Sequence, residues 1–258
     1  MTDEVSRPPQ LHRIVPVGED GLLVEFAAEI SPTINRAVRR LSTALEQSGL
    51  TGVLEIVPAY RSLLVSFDSR LVELSPLRAA ITAIAETLED QPLPPSRLFR
   101  LPTVYGGSYG PDLDHVCNAS GLAADEVIDL FSRQRFPVCC LGFLCCLAYL
   151  GGVPHPLQLP RRATPRLRVP AGAVGIANAQ AVVLPIELPS GFHYLGRTFV
   201  SLYDPQQFPP TPIRPGDVVE FPAVSAEAAQ EWTGQFPGVC DVDRISNSGP
   251  GLADDHSG

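Results

Sequence analysis

Residues 91–96 have the sequence Gln-Pro-Leu-Pro-Pro-Ser and divide the chain into two parts with different patterns. Three prolines in this segment fix extended backbone dihedrals and cannot continue a helix, so it predicts a linker. Residues 18–90 carry apolar residues at the spacing of helices and strands. Residues 97–224 consist of short apolar runs separated by Gly and Pro, which is typical of a β-barrel or β-sandwich. These patterns predict an α+β protein with two domains.

The first part predicts two helices packed on a small sheet. Ser31 and Pro32 form a helix start, and apolar residues at three- and four-residue spacing extend this helix to about residue 47. Ser75 and Pro76 repeat the start signal for a second helix. Strand patterns cover residues 21–26, 53–57 and 62–67.

The remaining segments complete the predicted organisation. Residues 1–17 are an N-terminal arm before the first domain. Within the second domain, residues 125–133 place their apolar side chains on one broad face and predict a helix among the strands. Residues 225–258 hold one base and six acids and form an acidic tail, whose end at 247–258 is expected to be disordered.

Composition and charge exclude several classes of function. The 258-residue chain has a formal net charge of −9, and its 19 basic residues are all Arg. Without Lys it cannot supply a Walker-type lysine, a Schiff-base lysine or a lysine general base. The acidic balance argues against nucleic-acid binding, which needs a basic surface. The polar N-terminus predicts a cytoplasmic protein, and the apolar run at 138–150 is too short for a membrane span of about 20 residues.

The cysteines predict buried thiols and no metal site. Four of the six lie in adjacent pairs among apolar residues, at 139–140 and 145–146. Structural zinc sites favour a separation of two to four residues, whereas adjacent residues of a strand point to opposite faces. His115, His155 and His193 are further candidate ligands, but buried reduced thiols explain the cysteines better. No Ser/His/Asp set can be assigned from spacing alone.

Two segments have the composition of an anion site. Residues 160–170 (PRRATPRLRVP) contain Arg161, Arg162, Arg166 and Arg168, which form either a guanidinium fork for carboxylate or phosphate oxygens or a solvated loop. Residues 105–110 (YGGSYG) form a Gly-rich turn before a helix start. Such a turn can present N–H groups to an anion, but a tight connection between strand and helix explains the glycines at least as well.

An ordered series of short motifs runs through both parts of the chain. The motifs are VPAYRSLLV at 57–65, YGG at 105–107, GPDL at 110–113, GF at 142–143, YLGG at 149–152, PRR at 160–162, PR at 165–166, VPAG at 169–172, Gln180, GRT at 196–198 and DP at 204–205. This series resembles the family of the B-type subunits of bacterial 5-oxoprolinase, which is also called allophanate hydrolase subunit 1 and includes the sporulation kinase inhibitor KipI. The resemblance extends from about residue 18 to residue 221 and depends on the order of the motifs rather than on any single one.

The resemblance implies a small α+β N-terminal domain followed by a cyclophilin-like β-barrel. It also implies a heteromer with a C-type partner (allophanate hydrolase subunit 2) and an A-type partner. Together such subunits hydrolyse 5-oxoproline to glutamate with ATP and water, releasing ADP and phosphate, and the ATP is shared with the partner proteins. The matching positions imply that Arg161, Arg162, Arg166 and Arg197 contact anionic groups, that Gln180 orients the substrate, and that Tyr149 forms a wall of the pocket.

Several positions depart from the pattern of the family. Ser108 and Phe131 stand where the family usually has Glu and His, and residues 145–147 (Cys-Cys-Leu) replace a usual Pro, Gly and Phe. Ser190 and Phe192 replace a usual Gly and Trp. These changes keep two alternatives open. One is a KipI-like inhibitor of a sensor histidine kinase, and the other is a structural subunit whose partner carries the chemistry.

Overall fold

The computed structural model of the chain describes residues 11–26, 28, 30–88, 93–144, 146–235 and 242–245. The tail expected to be disordered, residues 247–258, lies outside the described residues, as do Cys145 and residues 91–92 of the predicted linker.

The N-terminal part is a four-stranded antiparallel sheet packed against two helices. Its strands follow the order β1-β2-β4-β3, and helices α1 and α2 share one apolar core with it. The predicted strands and helices are all present, and strand β1 precedes them inside the predicted N-terminal arm. The elements are β1 (Arg13–Val17), β2 (Gly21–Glu25), α1 (Pro32–Ser48), β3 (Val53–Pro58), β4 (Ser62–Phe67) and α2 (Leu74–Ala85).

The ends of the two helices follow from their terminal residues. Ser31 is the N-cap of α1 and its Oγ accepts a hydrogen bond from the Ile34 N–H at 3.2 Å. Gly49 ends α1 in the left-handed conformation, with φ of 58°. Helix α2 begins at Leu74, slightly before the predicted start at Ser75. Pro76 falls in the first turn, where the N–H that proline lacks has no helical acceptor.

The C-terminal part is built around a curled nine-stranded sheet. Its strand order is β15-β5-β14-β7-β8-β11-β10-β13-β6, and β9 pairs with β12 as a separate hairpin. Strand β5 begins at Ser96, the last residue of the predicted linker, and the division into domains stays a prediction. The strands are β5 (Ser96–Arg100), β6 (Thr103–Tyr105), β7 (Phe136–Gly142), β8 (Leu147–Leu150), β9 (Arg166–Val169), β10 (Ala173–Ala177), β11 (Gln180–Val183), β12 (Leu188–Ser190), β13 (His193–Thr198), β14 (Val218–Glu220) and β15 (Val242–Ile245).

Hydrogen bonds at a corner of the chain close this sheet into a barrel. The Thr103 N–H in β6 donates to Pro222 O at 2.9 Å, and the Val224 N–H donates to Thr103 O at 3.1 Å. Because β6 and β14 lie far apart in the strand order, these bonds join distant parts of the sheet. The α+β fold with a C-terminal barrel is therefore confirmed.

Helices α3 (Leu113–Ser120) and α4 (Ala124–Ser132) pack against the barrel core. Helix α4 matches the helix predicted at 125–133 within one residue. Val116, Val127 and Phe131 are fully buried between these helices and the strands. A short helix α5 (Ala226–Ala229) lies between β14 and β15 in sequence, at the beginning of the predicted tail. Among the described residues, no helix combines the length and apolar character that a membrane crossing needs.

The sheet of the barrel buries apolar side chains on both faces. In β8, Ala148 and Leu150 point into the barrel core, whereas Leu147 and Tyr149 belong to a second cluster on the opposite face. The hairpin of β9 and β12 contributes Val169 and Leu188 to this second cluster. The alternation follows from the two-residue period of a strand. It positions a cleft between the hairpin and the outer face of the sheet.

The two parts of the chain are in direct contact. Asn35 of α1 donates from Nδ2 to the carbonyl of Cys139 in β7 at 3.2 Å. The same amide nitrogen lies 3.1 Å from Ala59 O and 3.2 Å from Tyr60 O. The Tyr60 hydroxyl donates to Leu150 O at 3.3 Å. These bonds attach the loop between β3 and β4 to the barrel strand that carries Tyr149.

Candidate functional site

A cleft of about 280 Å³ opens beside the β9–β12 hairpin, on the outer face of the barrel sheet. Its walls are mostly apolar, as expected of a site for a small ligand. Two of the residues implied by the resemblance, Tyr149 and Arg161, line it. The complete lining is Phe143, Leu147, Tyr149, Arg161, Pro165, Val182, Leu184, Leu188, Pro189, Ser190, Gly191 and Phe192.

Arg161 brings a positive charge to the wall of the cleft. It is exposed, and its guanidinium carbon lies 4.9 Å from the centroid of the Phe192 ring, which is a cation–π contact. Within the described part of the chain no carboxylate pairs with it. An arginine in this state keeps its hydrogen-bond donors available for an anionic ligand.

Tyr149 lines the cleft, and two further tyrosines, Tyr60 and Tyr194, contact residues that line it. The Tyr149 ring meets Tyr60 edge-on, with centroids 6.3 Å apart. Burial raises the pKa of both phenols, so they are uncharged hydroxyl groups at neutral pH. The buried Tyr194 donates from its hydroxyl to Ser190 Oγ at 2.6 Å, and burial raises its pKa to about 12. The cleft therefore presents the positive charge of Arg161 and the neutral hydroxyl groups of Tyr149 and Ser190.

Arg162 and Arg166 bind an internal carboxylate, that of Asp112, in an arrangement that we call the Asp112 clamp. Arg166 approaches Asp112 with two nitrogens, at 2.6 Å and 2.7 Å, and Arg162 Nη1 lies 2.6 Å from Asp112 Oδ1. The Tyr194 N–H also donates to Asp112 Oδ2, at 2.8 Å. The clamp joins the start of α3 to β13 and to the arginine-rich segment.

The electrostatics of the clamp favour the ionised carboxylate. Burial of Asp112 opposes ionisation, but hydrogen bonds from Arg166 and the Tyr194 N–H, with the charges of Arg166 and Arg162, outweigh burial and lower its pKa. The same hydrogen bond raises the pKa of Arg166. Two of the four arginines implied to bind anions thus hold an internal anion, and their contact with a substrate stays a prediction.

Gln180 of β11 and Arg197 of β13 pair with opposite ends of strand β10, which lies between their strands. Gln180 pairs in register with Ala177 at one end, and Arg197 pairs with Ala173 at the other. Four residues of strand separate these ends by roughly 13 Å. Arg197 donates from Nε to Ala171 O at 2.9 Å, and its guanidinium carbon lies 5.4 Å from the centroid of the Phe199 ring. The structure therefore does not bring these two side chains together at one point.

Three N–H groups of the Gly-rich turn at 105–110 are used in hydrogen bonds within the protein. The Gly106 N–H donates to Leu195 O at 3.0 Å, and the N–H groups of Tyr109 and Gly110 donate to Gly106 O at 3.1 and 2.8 Å. A Cβ on Gly110 would lie 1.9 Å from Leu195 O, so this position requires glycine. The carboxylate of Asp112 also follows the turn closely. The N–H groups of Gly106, Tyr109 and Gly110 are therefore not available to the phosphates of ATP.

Positions that depart from the family pattern lie in different surroundings. Ser108 is exposed in the Gly-rich turn, whereas Phe131 is fully buried, with its ring centroid 4.6 Å from that of Phe136.

Cys139 and Cys140 are buried, and burial raises the pKa of their thiols to about 12 and about 11. No group of three metal-type ligands occurs among the residues that the structure describes.

Sequence reasoning missed the partners that distinguish these arginines. It treated Asp112 only as part of a helix start and Phe192 only as a departure from the family. His193, considered only as a metal ligand, instead stacks on His115 with centroids 5.0 Å apart, and its Nε2 lies 2.8 Å from Pro160 O. The one available signal was an Asp at the start of a helix in a chain with a local excess of Arg, and it does not identify which Arg is paired.

Residues 12–213 match the family described as "Carboxyltransferase domain, subdomain C and D". The chain is 34% identical over 225 residues to the 5-oxoprolinase B subunit of Bacillus subtilis (strain 168), covering 83% of this chain and 93% of that protein. It is 36% identical over 214 residues to the 5-oxoprolinase B subunit of Escherichia coli O157:H7, covering 80% and 93%.

A solved structure agrees with these relatives. The crystal structure of TTHA0988 superposes with a TM-score of 0.69 at 32% identity over 80% of this chain. The match spans only 40% of the TTHA0988 chain, so that protein contains much that this chain does not match. The matched family, the identities over most of the sequence and the shared fold show that the chain belongs to the family of 5-oxoprolinase B subunits.

Proposed function

We propose that the chain is a subunit of an ATP-dependent amide hydrolase of the 5-oxoprolinase type and acts with a C-type partner. The observation that carries this proposal is Arg161. It is a cation on the aromatic wall of a small apolar cleft, and no carboxylate in the described part of the chain pairs with it. The relatives that cover most of their own length in the match are named as B subunits of 5-oxoprolinase, which supports the choice of substrate.

5-Oxoproline has the chemistry that this cleft can bind. It is a small, flat lactam with one carboxylate. Arg161 offers a charge-assisted hydrogen bond to that carboxylate, while Phe192 and Tyr149 offer apolar surface to the ring. The lactam carbonyl must then be activated by phosphorylation, because an amide is a poor electrophile, and fixed donors must stabilise the charge that develops. In this proposal Arg161 binds the carboxylate, and the hydroxyl of Tyr149 is the donor suited to the charge that develops on the carbonyl oxygen.

The nucleotide and part of the site belong to partner proteins in this proposal. The chain has no Lys, and three N–H groups of its Gly-rich turn, those of Gly106, Tyr109 and Gly110, donate within the protein. Phe143, at the tip of the β7–β8 hairpin and at the edge of the cleft, is 72% exposed, and its neighbour Leu144 is also exposed. Exposed apolar side chains beside a cleft are typical of a surface that another protein covers. A partner there would close the cleft and exclude water.

The test measures ADP release by this chain co-purified with its A-type and C-type partners. Release that requires both this chain and 5-oxoproline supports the proposal. Arg161→Ala is expected to lower kcat/KM for 5-oxoproline by roughly 10- to 100-fold, the effect of losing a hydrogen bond to a charged group. Arg133→Ala, which removes an exposed arginine of α4, is the matched control and should retain the activity.

Two results would contradict this function. A complex whose ADP release does not depend on 5-oxoproline would exclude that substrate, and a purely structural role would then be favoured. Failure of the chain to bind a C-type partner would instead favour the kinase-inhibitor alternative.

A further inference from the structure

The hydroxyl oxygen of Ser190 has two hydrogen-bond partners at the edge of the cleft. Its Oγ accepts a hydrogen bond from the Tyr194 hydroxyl at 2.6 Å and another from the Phe192 N–H at 3.3 Å. A serine hydroxyl has two acceptor sites and one donor hydrogen. With both acceptor sites occupied, the hydrogen points in the remaining direction. Among the described residues, no acceptor for this hydrogen is found.

The cleft is the space that this hydrogen can reach. Ser190 is half-buried and lines the cleft with Arg161 and Phe192. Arg161 lies over the Phe192 ring, two residues from Ser190 in sequence, and its charge also reaches the Tyr194 phenol. A cation and a neutral hydroxyl group therefore both contact Phe192 on the wall of an otherwise apolar cleft. Two donors of this kind match the two oxygens of one carboxylate.

We propose that Ser190 is a specificity-determining residue that donates to one oxygen of the carboxylate of a small substrate acid, while Arg161 binds the other. Tyr194 is its positioning residue, because the Tyr194 hydroxyl occupies an acceptor site of Ser190 and thereby directs its hydrogen. This inference rests on the proposed function and adds the residue that selects for the carboxylate. A glycine, which the resemblance implies is usual at this position, has no side chain to donate.

A purely structural role makes a different prediction. The Tyr194 hydroxyl is attached to a buried ring and needs an acceptor, so Ser190 could serve only to satisfy it. In that case a change at Ser190 would alter stability and would affect all ligands of the cleft alike. A donor to a carboxylate instead affects only ligands that carry one.

The experiment uses calorimetric titration of the full chain in complex with its C-type partner. The two probes are 5-oxoproline and 2-pyrrolidinone, the same lactam ring without the carboxylate. Ser190→Ala should raise the Kd for 5-oxoproline roughly tenfold or more, as expected for a lost hydrogen bond to a charged group. The Kd for 2-pyrrolidinone should stay unchanged. Ser190→Thr keeps the hydroxyl and should restore binding of 5-oxoproline.

A double-mutant cycle tests the role of Tyr194. Tyr194→Phe should weaken the binding of 5-oxoproline but not that of 2-pyrrolidinone. The double variant with Ser190→Ala should bind no more weakly than Ser190→Ala alone, because Tyr194 acts through Ser190. Ser69→Ala, at an exposed turn of the N-terminal part, is the control and should bind like the parent. Melting curves of each variant establish that it is folded.

The outcomes separate this inference from the proposed function. If the parent complex does not bind 5-oxoproline, the proposed function fails and this inference fails with it. If the parent binds it and Ser190→Ala binds equally well, only the role of Ser190 is refuted. Equal weakening of both probes by Ser190→Ala would also refute it, since that result indicates a structural role.

Discussion

The Asp112 clamp and the cleft contain arginines that are adjacent in sequence but have different partners. Arg162 points to a buried carboxylate, whereas Arg161, the preceding residue, lies over an aromatic ring. The clamp neutralises its charges inside the protein. The cleft leaves its charge available to a ligand. A cluster of basic residues in sequence is therefore not yet a cluster of anion sites, because the fold can commit some of the charges internally.

Burial explains why the two arrangements should also differ energetically. The side chains of Arg162 and Arg166 are 29% and 28% exposed, and that of Asp112 is 3% exposed. A buried ion pair gains little over an apolar replacement, but removing one partner leaves an uncompensated charge and is strongly destabilising. Arg161 is exposed, so water can replace its contacts. The clamp should therefore serve mainly stability, and the cleft mainly binding.

The largest expected effect comes from Asp112→Asn. This change removes the carboxylate while preserving the side-chain shape, and it leaves two partly buried guanidinium groups without a counter-charge. We expect the free energy of unfolding to fall by about 3 kcal/mol or more, measured by urea denaturation. The melting temperature should fall by roughly 6 °C or more.

Asp114→Asn is the matched control for this prediction. Asp114 lies on the same helix but is exposed, and its substitution should change stability by less than about 0.5 kcal/mol. If the Asp112→Asn and Asp114→Asn variants had equal free energies of unfolding, the clamp would not contribute to the stability of the protein.

A smaller effect should appear in the pH dependence of the same comparison. The pKa of Asp112 is lowered in the folded protein, so its contribution is complete above the unfolded pKa of about 3.9 and is lost as the pH falls through the folded pKa. The difference in the free energy of unfolding between the parent and Asp112→Asn should be constant between roughly pH 7 and pH 5. As the pH falls below about 4, this difference should shrink by up to about 1.4 kcal/mol per pH unit.

Urea midpoints at a series of pH values measure this difference. Groups that titrate equally in both proteins cancel from it, which isolates Asp112. A difference that stayed constant down to pH 3 (roughly) would mean that the carboxylate is not the source of the stability.

Much of the fold could be predicted because local signals coincide with it. The Ser31 cap, the Gly49 stop and the apolar spacing between them define α1 without any knowledge of tertiary contacts. Helix α2 begins earlier than its start signal predicts, since Ser75 and Pro76 have the composition of a cap but lie within the first turn. Strand order and barrel closure depend on pairing between distant residues, such as Thr103 and Pro222, and no local pattern specifies them.

The site was less predictable because its residues act through tertiary partners. The sequence places Arg161, Arg162 and Arg166 in one functional group, and only the folded chain brings Asp112 to two of them. Asp112 itself is recognisable as part of a helix start, and it is the N-cap residue of α3. Its side chain makes no capping hydrogen bond, however, because the arginines and the Tyr194 N–H occupy it.

Arg161→Ala should separate the two regions more sharply. Its cation–π contact with Phe192 is exposed, and such contacts contribute about 0.5–1 kcal/mol. Urea denaturation should therefore show a loss of at most about 1 kcal/mol, while 5-oxoproline binding falls as proposed above. Arg166→Ala should show the opposite balance, with a larger loss of stability. If both variants lost stability equally, the distinction between clamp and cleft would be wrong.

The smallest effect should come from an ion pair whose N–O distance is close to the shortest distances in the clamp. Arg168 Nε lies 2.7 Å from Glu187 Oε1, a distance within 0.1 Å of the shortest clamp contacts, but these side chains are 81% and 49% exposed. Water screens the pair and solvates each partner when the other is removed. Arg168→Ala should therefore leave the urea midpoint unchanged within error. A shift comparable to that of Asp112→Asn would show that short distance, rather than burial, determines what an ion pair contributes in this protein.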